Sequence, residues 1–406
     1  MSTSQSKKRK TEENSQSLEN LKEMTFDDVP LDLAMEIFMR LPVKSVARCL
    51  LLSKFWTEVI RSRRFITSFE VRSLLQPRLL VVFILTDTQR NCEDWYFFSL
   101  SSSSSTTSYL SRVTCPLPDS VYHSHYVNGL ISIGYGLEKR VANPSTGTSL
   151  IALPRVKTTS TVPSHCFFGY DPVNDEYKLL VLCMKEKKQL EFRHDRYQLR
   201  ILQRSSRHQV VTLGAKRKRW RKIDYRTPHG PVLNSVCIDG VLYYVAFTGA
   251  DMSQLSLMRF DLESEELDLF TSLSVDFMAE SLHGSTLMNY KGKVALATKS
   301  SVYKFEVWVL DQHAKTHGWL KKSFVITGTK KILKQHINID IIGTTHTGEF
   351  ILAPRCYSNE FYVIHFNPDT DGCRTVKVEL HGDYGFKYRE TKAMVFLDYV
   401  ESVRLL

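Results

Sequence analysis

The chain has 406 residues, with 43% hydrophobic and 24% charged side chains and a formal net charge of +11. That composition is ordinary for a folded protein and excludes a wholly disordered or collagen-like chain. The longest apolar run, Leu79 to Leu85, is far short of the roughly 20 residues that a membrane-spanning helix needs. The first residues, MSTSQSKKRKTEEN, lack the apolar segment of a secretory signal. None of the eight cysteines forms a C-x-x-C pair. A disulfide framework or a zinc ribbon is therefore not expected, and the expected compartment is the nucleus, the cytoplasm or both. The positive charge is concentrated in two runs, Lys7–Lys10 and Lys216–Lys222, and the rest of the chain is close to neutral. The first run has the composition of a nuclear-import cluster. Near-neutrality elsewhere argues against a nucleic-acid binder.

Residues 1–25 are polar and predict a disordered tail. From Asp27 the pattern becomes helical. Pro30 suits a first helical turn, and Asp27, Asp28, Asp32 and Glu36 complement its dipole. Leu33, Ile37 and Leu41 are spaced four apart, with Ala34 and Phe38 widening the stripe. Pro42 ends that helix and can start a second, striped by Val46, Ala47, Leu50 and Leu51. Ser53 predicts the N-cap of a third helix that buries Phe55, Trp56, Val59 and Ile60. Three short helices bury too little to be comfortably stable alone. Such a head is either a cap on the next domain or a docking module completed by a partner.

Residues Val29 to Phe65 hold Pro30, Asp32-Leu33, Glu36-Ile37, Arg40-Leu41-Pro42-Val43-Lys44-Ser45, Arg48-Cys49, Ser53-Lys54, Trp56, Ile60 and Ser62 at fixed spacings. This pattern closely resembles the F-box, in the form common in plant proteins. Val29 and Leu52 depart mildly from the usual residues and stay apolar. The resemblance implies binding to a Skp-type adaptor, and through it to a cullin–RING ubiquitin ligase. It carries adaptor contact onto Pro30, Leu33, Ile37, Leu41, Pro42, Val46 and Leu50, and matches Trp56 and Ile60 to the module's third helix.

After Pro77 the helical period gives way to strand-length runs rich in Val, Ile, Tyr and Phe, such as 79–85, 95–100, 241–247 and 361–366. The stretch from Ser101 to Ser108 is low in complexity and reads as a flexible insertion. Tight-turn markers occur at Asn128-Gly129, Asn174-Asp175, Asp239-Gly240, Lys291-Gly292 and Thr347-Gly348, at intervals of 46, 65, 52 and 56 residues. Second turns, centred near 263, 314 and 370, follow three of them by 22 or 23 residues. A repeat of about 50 residues with two hairpins predicts a kelch-like β-propeller. Residues 78–406 then make six or seven blades, with six favoured, and strands 79–100 and 393–399 share the closing blade. A β-sandwich is the rival fold, but it has no reason to repeat at this period. The fold class is thus α+β and multidomain: a tail over 1–25, a three-helix F-box over 26–72, and an all-β propeller over 78–406.

Val127-Asn128-Gly129, Asn143-Pro144-Ser145-Thr146-Gly147, Phe168-Gly169-Tyr170-Asp171-Pro172, Asp239-Gly240-Val241-Leu242-Tyr243 and Asn289-Tyr290-Lys291-Gly292 resemble the plant F-box-associated domain, type 3. That resemblance implies a propeller that recruits substrate. The expected role is a non-catalytic substrate receptor of an SCF-type ubiquitin ligase, binding a target not named by the sequence, with a short, braced linker over 66–77. A propeller-based enzyme or a glycan-binding lectin with a helical cap is the alternative.

No catalytic motif stands against this reading. G-x-S-x-G, P-loop, H-E-x-x-H and dinucleotide fingerprints are absent from the sequence. Gly134-Tyr135-Gly136 is a lone G-x-G with no following helix. His123-Ser124-His125 and His313/His317 lack a supporting ligand set, Cys49 and Cys183 read as small buried residues, and no metal or cofactor is expected. The run Lys216–Lys222 falls in the longest repeat interval and is expected to project as a loop or frayed strand. Lys216, Arg217, Lys218 and Arg219 are candidates for contact with an acidic target, with Trp220 anchoring the strand in its blade.

Overall fold

The computed structural model describes residues 29–404, except 103–105, 118–123, 136–137, 151–155, 157–164, 194–195, 216–218, 226, 250–251, 274–283, 302, 312–317, 327–338, 383, 385 and 387–390. The tail over 1–25, Lys7–Lys10, Lys216–Lys218, His123 and His313/His317 lie outside the described residues.

Four helices open the described chain: α1 (Leu31–Arg40), α2 (Val43–Cys49), α3 (Lys54–Arg61) and α4 (Arg63–Leu74). Proline sets the first two boundaries. Pro30 and Pro42 stand at the N-caps of α1 and α2, and Leu41, before Pro42, is extended at ψ 150°. Serine sets the next two. Ser53 Oγ accepts from Trp56 N, and Ser62 Oγ accepts from Phe65 N, each at 3.3 Å. The fourth helix corrects the three-helix expectation. It occupies most of the stretch read as a linker, and its buried Phe65, Phe69 and Ser73 fall four residues apart. Phe38 makes edge-to-face contacts with Trp56 at 5.2 Å and Phe65 at 6.3 Å. Val403, from the far end of the chain, packs into the same core.

The body is a ring of six antiparallel sheets of four or five strands. Strand Thr391–Phe396 pairs with strand Arg78–Asp87, from Leu80 opposite Phe396 to Leu85 opposite Thr391. The last strand thus joins the first blade and seals the ring, as the sequence predicts. The turn markers also hold. Asn128-Gly129, Asp239-Gly240 and Lys291-Gly292 each place two successive residues at positive φ, the geometry of the two-residue hairpin turn that matches strand twist. Gly129 has a second constraint, because a Cβ there would lie 2.3 Å from Ser402 Cβ.

The 65-residue interval is filled largely by two overlong strands. Strands Glu176–Arg193 and Arg196–Thr212, of 18 and 17 residues, run far past their blade neighbours. The basic run follows them in the chain, and its last two residues, Arg221 and Lys222, with Ile223 form a short outer strand paired with His208 to Val210.

Between this blade and the next, His208 and His229 stack at 4.8 Å with an 8° interplanar angle. His229 Nε2 lies 2.8 Å from the Tyr244 hydroxyl. Burial lowers both imidazole pKa values, to about 3 for His208, where His229 adds repulsion, and to about 4 for His229. Both are therefore neutral in the fold, whereas unfolded histidine titrates near pH 6.5. Stability is full above that value and falls as pH drops below it. At pH 5 each imidazole should remove roughly 2 kcal/mol of unfolding free energy. Denaturant melts at pH 7 and pH 5 check this. His208→Gln should shrink the difference between the two melts, and an unchanged difference would count against these imidazoles as its source.

Candidate functional site

Large exposed apolar side chains concentrate in the small head. Among the described residues they are Leu31, Leu33, Ile37, Leu51, Leu52, Phe55, Val71, Leu74 and Leu75 in the head, against five in the whole body. Leu33 and Ile37 share one stripe of α1 and are 54% and 39% exposed. The opposite face of the helix buries Ala34, Met35 and Phe38. Helix α1 therefore has two apolar sides, one used by the head and one open. A small domain keeps such surface for a partner.

The structure sorts the candidate residues of this face. Pro30, Leu33, Ile37 and Pro42 are exposed, while Leu41 and Leu50 are half-buried against the head's core. Val46 is fully buried, because α2 turns Val43 and Val46 inward. It supports the face from behind and offers no surface to a partner, which corrects its assignment as a contact. Phe55 is corrected in the other direction. It is 47% exposed, whereas its neighbour Trp56 is buried, since successive helical residues point about 100° apart. Leu31 and Leu52 are further open apolar residues that the spacing argument left out, and Leu51, expected in the apolar stripe of the second helix, lies past its end and is exposed. The run Leu50-Leu51-Leu52 at a helix end was the available signal, as three leucines in a row cannot all face one core.

The head is fastened to the ring by the chain's last described residues. Arg404 Nε and Nη2 donate to Glu70 Oε1 and Oε2 of α4 at 2.7 and 3.0 Å, and Nη2 reaches Asp175 Oδ1 of the ring at 2.6 Å. The guanidinium lies over the Tyr170 and Tyr177 rings at 5.4 and 5.3 Å. Burial opposes its charge, but the Glu70 carboxylate outweighs that cost and holds its pKa above the ordinary value. Burial, reinforced by Asp175, pushes the Tyr170 hydroxyl up to about 12. Around this centre Ser402 Oγ donates to Glu70, Glu401 N donates to Ser73 Oγ, and Asn143 Nδ2 donates to the carbonyls of Ser402 and Arg404. Arg63 adds an ion pair to Asp175 at 3.4 Å.

In the described part of the basic run, Arg221 and Lys222 are engaged within the chain. Arg219 is exposed, Trp220 packs half-buried against the core between two blades, Arg221 pairs with Glu265, and Lys222 pairs with Asp224. Among the described residues no group of three His, Cys, Asp or Glu could hold a metal ion. His125 is buried, with Nε2 at 3.4 Å from Ser235 N. Cys183 is buried as expected, while Cys49 is only half-buried.

A helical head with an open apolar face, braced on a six-bladed ring, defines a modular docking protein. A family model for the F-box domain matches residues 26–68, and one for the F-box associated beta propeller domain matches residues 78–400. The chain is 73% identical to F-box protein At4g11590 of Arabidopsis thaliana over 407 residues, covering 100% of both chains. It is 45% identical to Putative F-box protein At5g15660 of Arabidopsis thaliana, covering 97% of this chain and 86% of that one. It is 31% identical to F-box protein DOR of Arabidopsis thaliana, covering 94% and 95%. The chain belongs to the F-box proteins that carry an F-box-associated propeller. Members of this family are generally non-catalytic substrate receptors, associated with SCF-type ubiquitin ligases.

The brace yields a stability prediction. Arg404→Met leaves the Glu70 carboxylate buried without its main partner and should cost roughly 3–5 kcal/mol. Adding Glu70→Met should recover part of that loss, since no buried charge is then stranded. Denaturant melts of the two single variants and the double variant measure the coupling, and simple additivity would refute a direct pair. Hydrogen exchange should show lost protection in α4 before the blade strands.

Proposed function

We propose that this chain is the substrate receptor of an SCF-type ubiquitin ligase. Its head binds a Skp-type adaptor through the open side of α1, with Pro30, Leu33, Ile37, Pro42 and the half-buried Leu41 and Leu50 forming the contact. Its ring binds the target protein. The observation that carries this reading is the open apolar stripe of Leu33 and Ile37 on a head whose own core is already filled by Phe38, Trp56 and Phe65. The chain performs no bond chemistry in this scheme. It holds a target lysine near a charged conjugating enzyme, and the rate gain is one of proximity. That gain depends on a fixed relation between adaptor and target, which the Arg404 brace supports. On this reading the protein works in the nucleus, the cytoplasm or both, with Lys7–Lys10 as the import cluster.

Co-purification of a Skp-type adaptor with the full chain provides the test. Leu33→Asp and Ile37→Asp should each weaken adaptor binding by about 30-fold or more, the scale of an interface hot spot. Both positions face away from the core, so the melting profile should not change. Val46→Ala should do the reverse, costing roughly 1–2 kcal/mol of stability and leaving a folded head able to bind. Adaptor recovery at wild-type level with both aspartate variants would sink the proposal.

A further inference from the structure

On the head's side, the polar contacts of the brace end on one helix. Arg63, Glu70 and Ser73 of α4 meet Asp175, Arg404 and Glu401, and Arg63 Nη2 also donates to the Val173 carbonyl at 3.3 Å. Val173 and Asp175 belong to one turn of the third blade, between strands His165–Asp171 and Glu176–Arg193. Contacts strung along one helix resist its sliding and tilting. They oppose rotation about its axis least, because their lever arm about that axis is short. Helices α1, α2 and α3 would swing furthest in such a rotation.

A contact of another kind lies off that line. Lys44 is the second residue of α2. Its neighbour Val43 is buried in the head, and Lys44, about 100° further round the helix, is exposed. Its ammonium lies over the Tyr109 ring, 5.4 Å from the centroid. Tyr109 stands on Thr107–Pro116, the outermost strand of the first blade. The residue is 44% exposed, yet its ring is held in place. It stacks on Tyr384 at 5.9 Å and meets Phe98 edge-on at 5.5 Å. Tyr384 stacks in turn on Phe386 at 5.3 Å, and Phe98 and Phe386 are buried in the core shared by the first and sixth blades. A cation over an aromatic face is attracted by the ring quadrupole. At an exposed site this attraction shifts an equilibrium only about two- to fivefold. That is too little to hold the head on, and enough to choose among orientations that the brace leaves close in energy.

We propose that Lys44 is a positioning residue, which sets the rotation of the head about α4 by resting its ammonium on Tyr109. The fixed-spacing pattern over Val29 to Phe65 includes Lys44. On this proposal that position serves the ring and not the adaptor. The brace carries the strength of the attachment, and the contact between Lys44 and Tyr109 carries its angle. On the receptor role proposed above, that angle fixes where the adaptor lies relative to the ring.

Spin labels test this in the full chain. Attached through genetically encoded handles at Glu58 of α3 and Glu263 of the fourth blade, both exposed, they give the head-to-ring distance distribution by pulsed electron resonance. In Lys44→Met the fraction of molecules outside the wild-type distance peak should rise about two- to fivefold, with the melting profile unchanged. Lys44→Arg should restore the wild-type distribution, because a guanidinium also rests on an aromatic face. Tyr109→Phe should keep it, because the ring remains. Tyr109→Leu should broaden it, and combining that change with Lys44→Met should add nothing further. A wild-type distribution in Lys44→Met, or simple additivity in the double variant, would overturn the proposal. So would a distribution in Lys44→Arg as broad as that in Lys44→Met. Adaptor co-purification is a second readout and should stay at the wild-type level in Lys44→Met. Its loss in that variant would assign the ammonium to the adaptor surface and overturn the proposal as well. Failure of the wild type itself to recover adaptor would refute the receptor role, and the distance measurement would still decide the contact.

Discussion

One buried guanidinium ties the two modules together. Arg404 is bonded to Glu70 of the head and Asp175 of the ring, and it is only 10% exposed. The segment that carries it leaves the closing strand Thr391–Phe396, passes Tyr399 and Ser402, and sends Val403 into the head's core. The same stretch of chain therefore seals the ring and seats the head. Opening the ring would pull Val403 and Arg404 from the head, and lifting the head would strand Glu70 and Asp175. A charge that far from water is strongly penalised without its partners. The two events are thus coupled, and the head needs no large apolar interface of its own with the blades.

On the receptor role proposed above, this arrangement bears on how a subunit that performs no bond chemistry contributes to rate. A tethered but freely swinging target gains only the modest effective concentration of a flexible linker. A fixed one can approach the far larger advantage of an oriented encounter. Helix α4 replaces a flexible connection over most of residues 66–77, and it is held from beneath by Glu401, Ser402 and Arg404. Helix ends set by Ser62, Pro42 and Pro30 leave the head little freedom to redirect its open face.

Much of this was legible in the sequence, and the limits have physical causes. Local signals held wherever the physics is local. The four-residue spacing of Leu33 and Ile37, the proline boundaries and the paired turn residues at Asn128-Gly129 and Lys291-Gly292 all depend on neighbours within a few residues. Ring closure was readable because a propeller must bury its last edge. Helix α4 was not separated from a linker, because two of its buried positions, Glu70 and Ser73, contact residues more than 300 positions away. The Arg404 site is invisible for the same reason, as a terminal arginine has no local pattern to betray its partners. Val46 and Phe55 exchanged roles because a helical stripe gives a face but not which of two apolar faces is covered. The long hairpin was hidden by composition, since its charges at 185–188 broke the apolar run that would mark a strand.

The open face of the head is of the kind that suits a long-lived complex. The head offers aliphatic side chains, whose burial is non-directional and little affected by salt. Complexes of that kind owe their persistence to slow dissociation. On the receptor role proposed above, adaptor affinity and the seating of the head are set by different residues, because the Arg404 junction is made with Glu70 and Asp175 and not with Leu33 or Ile37.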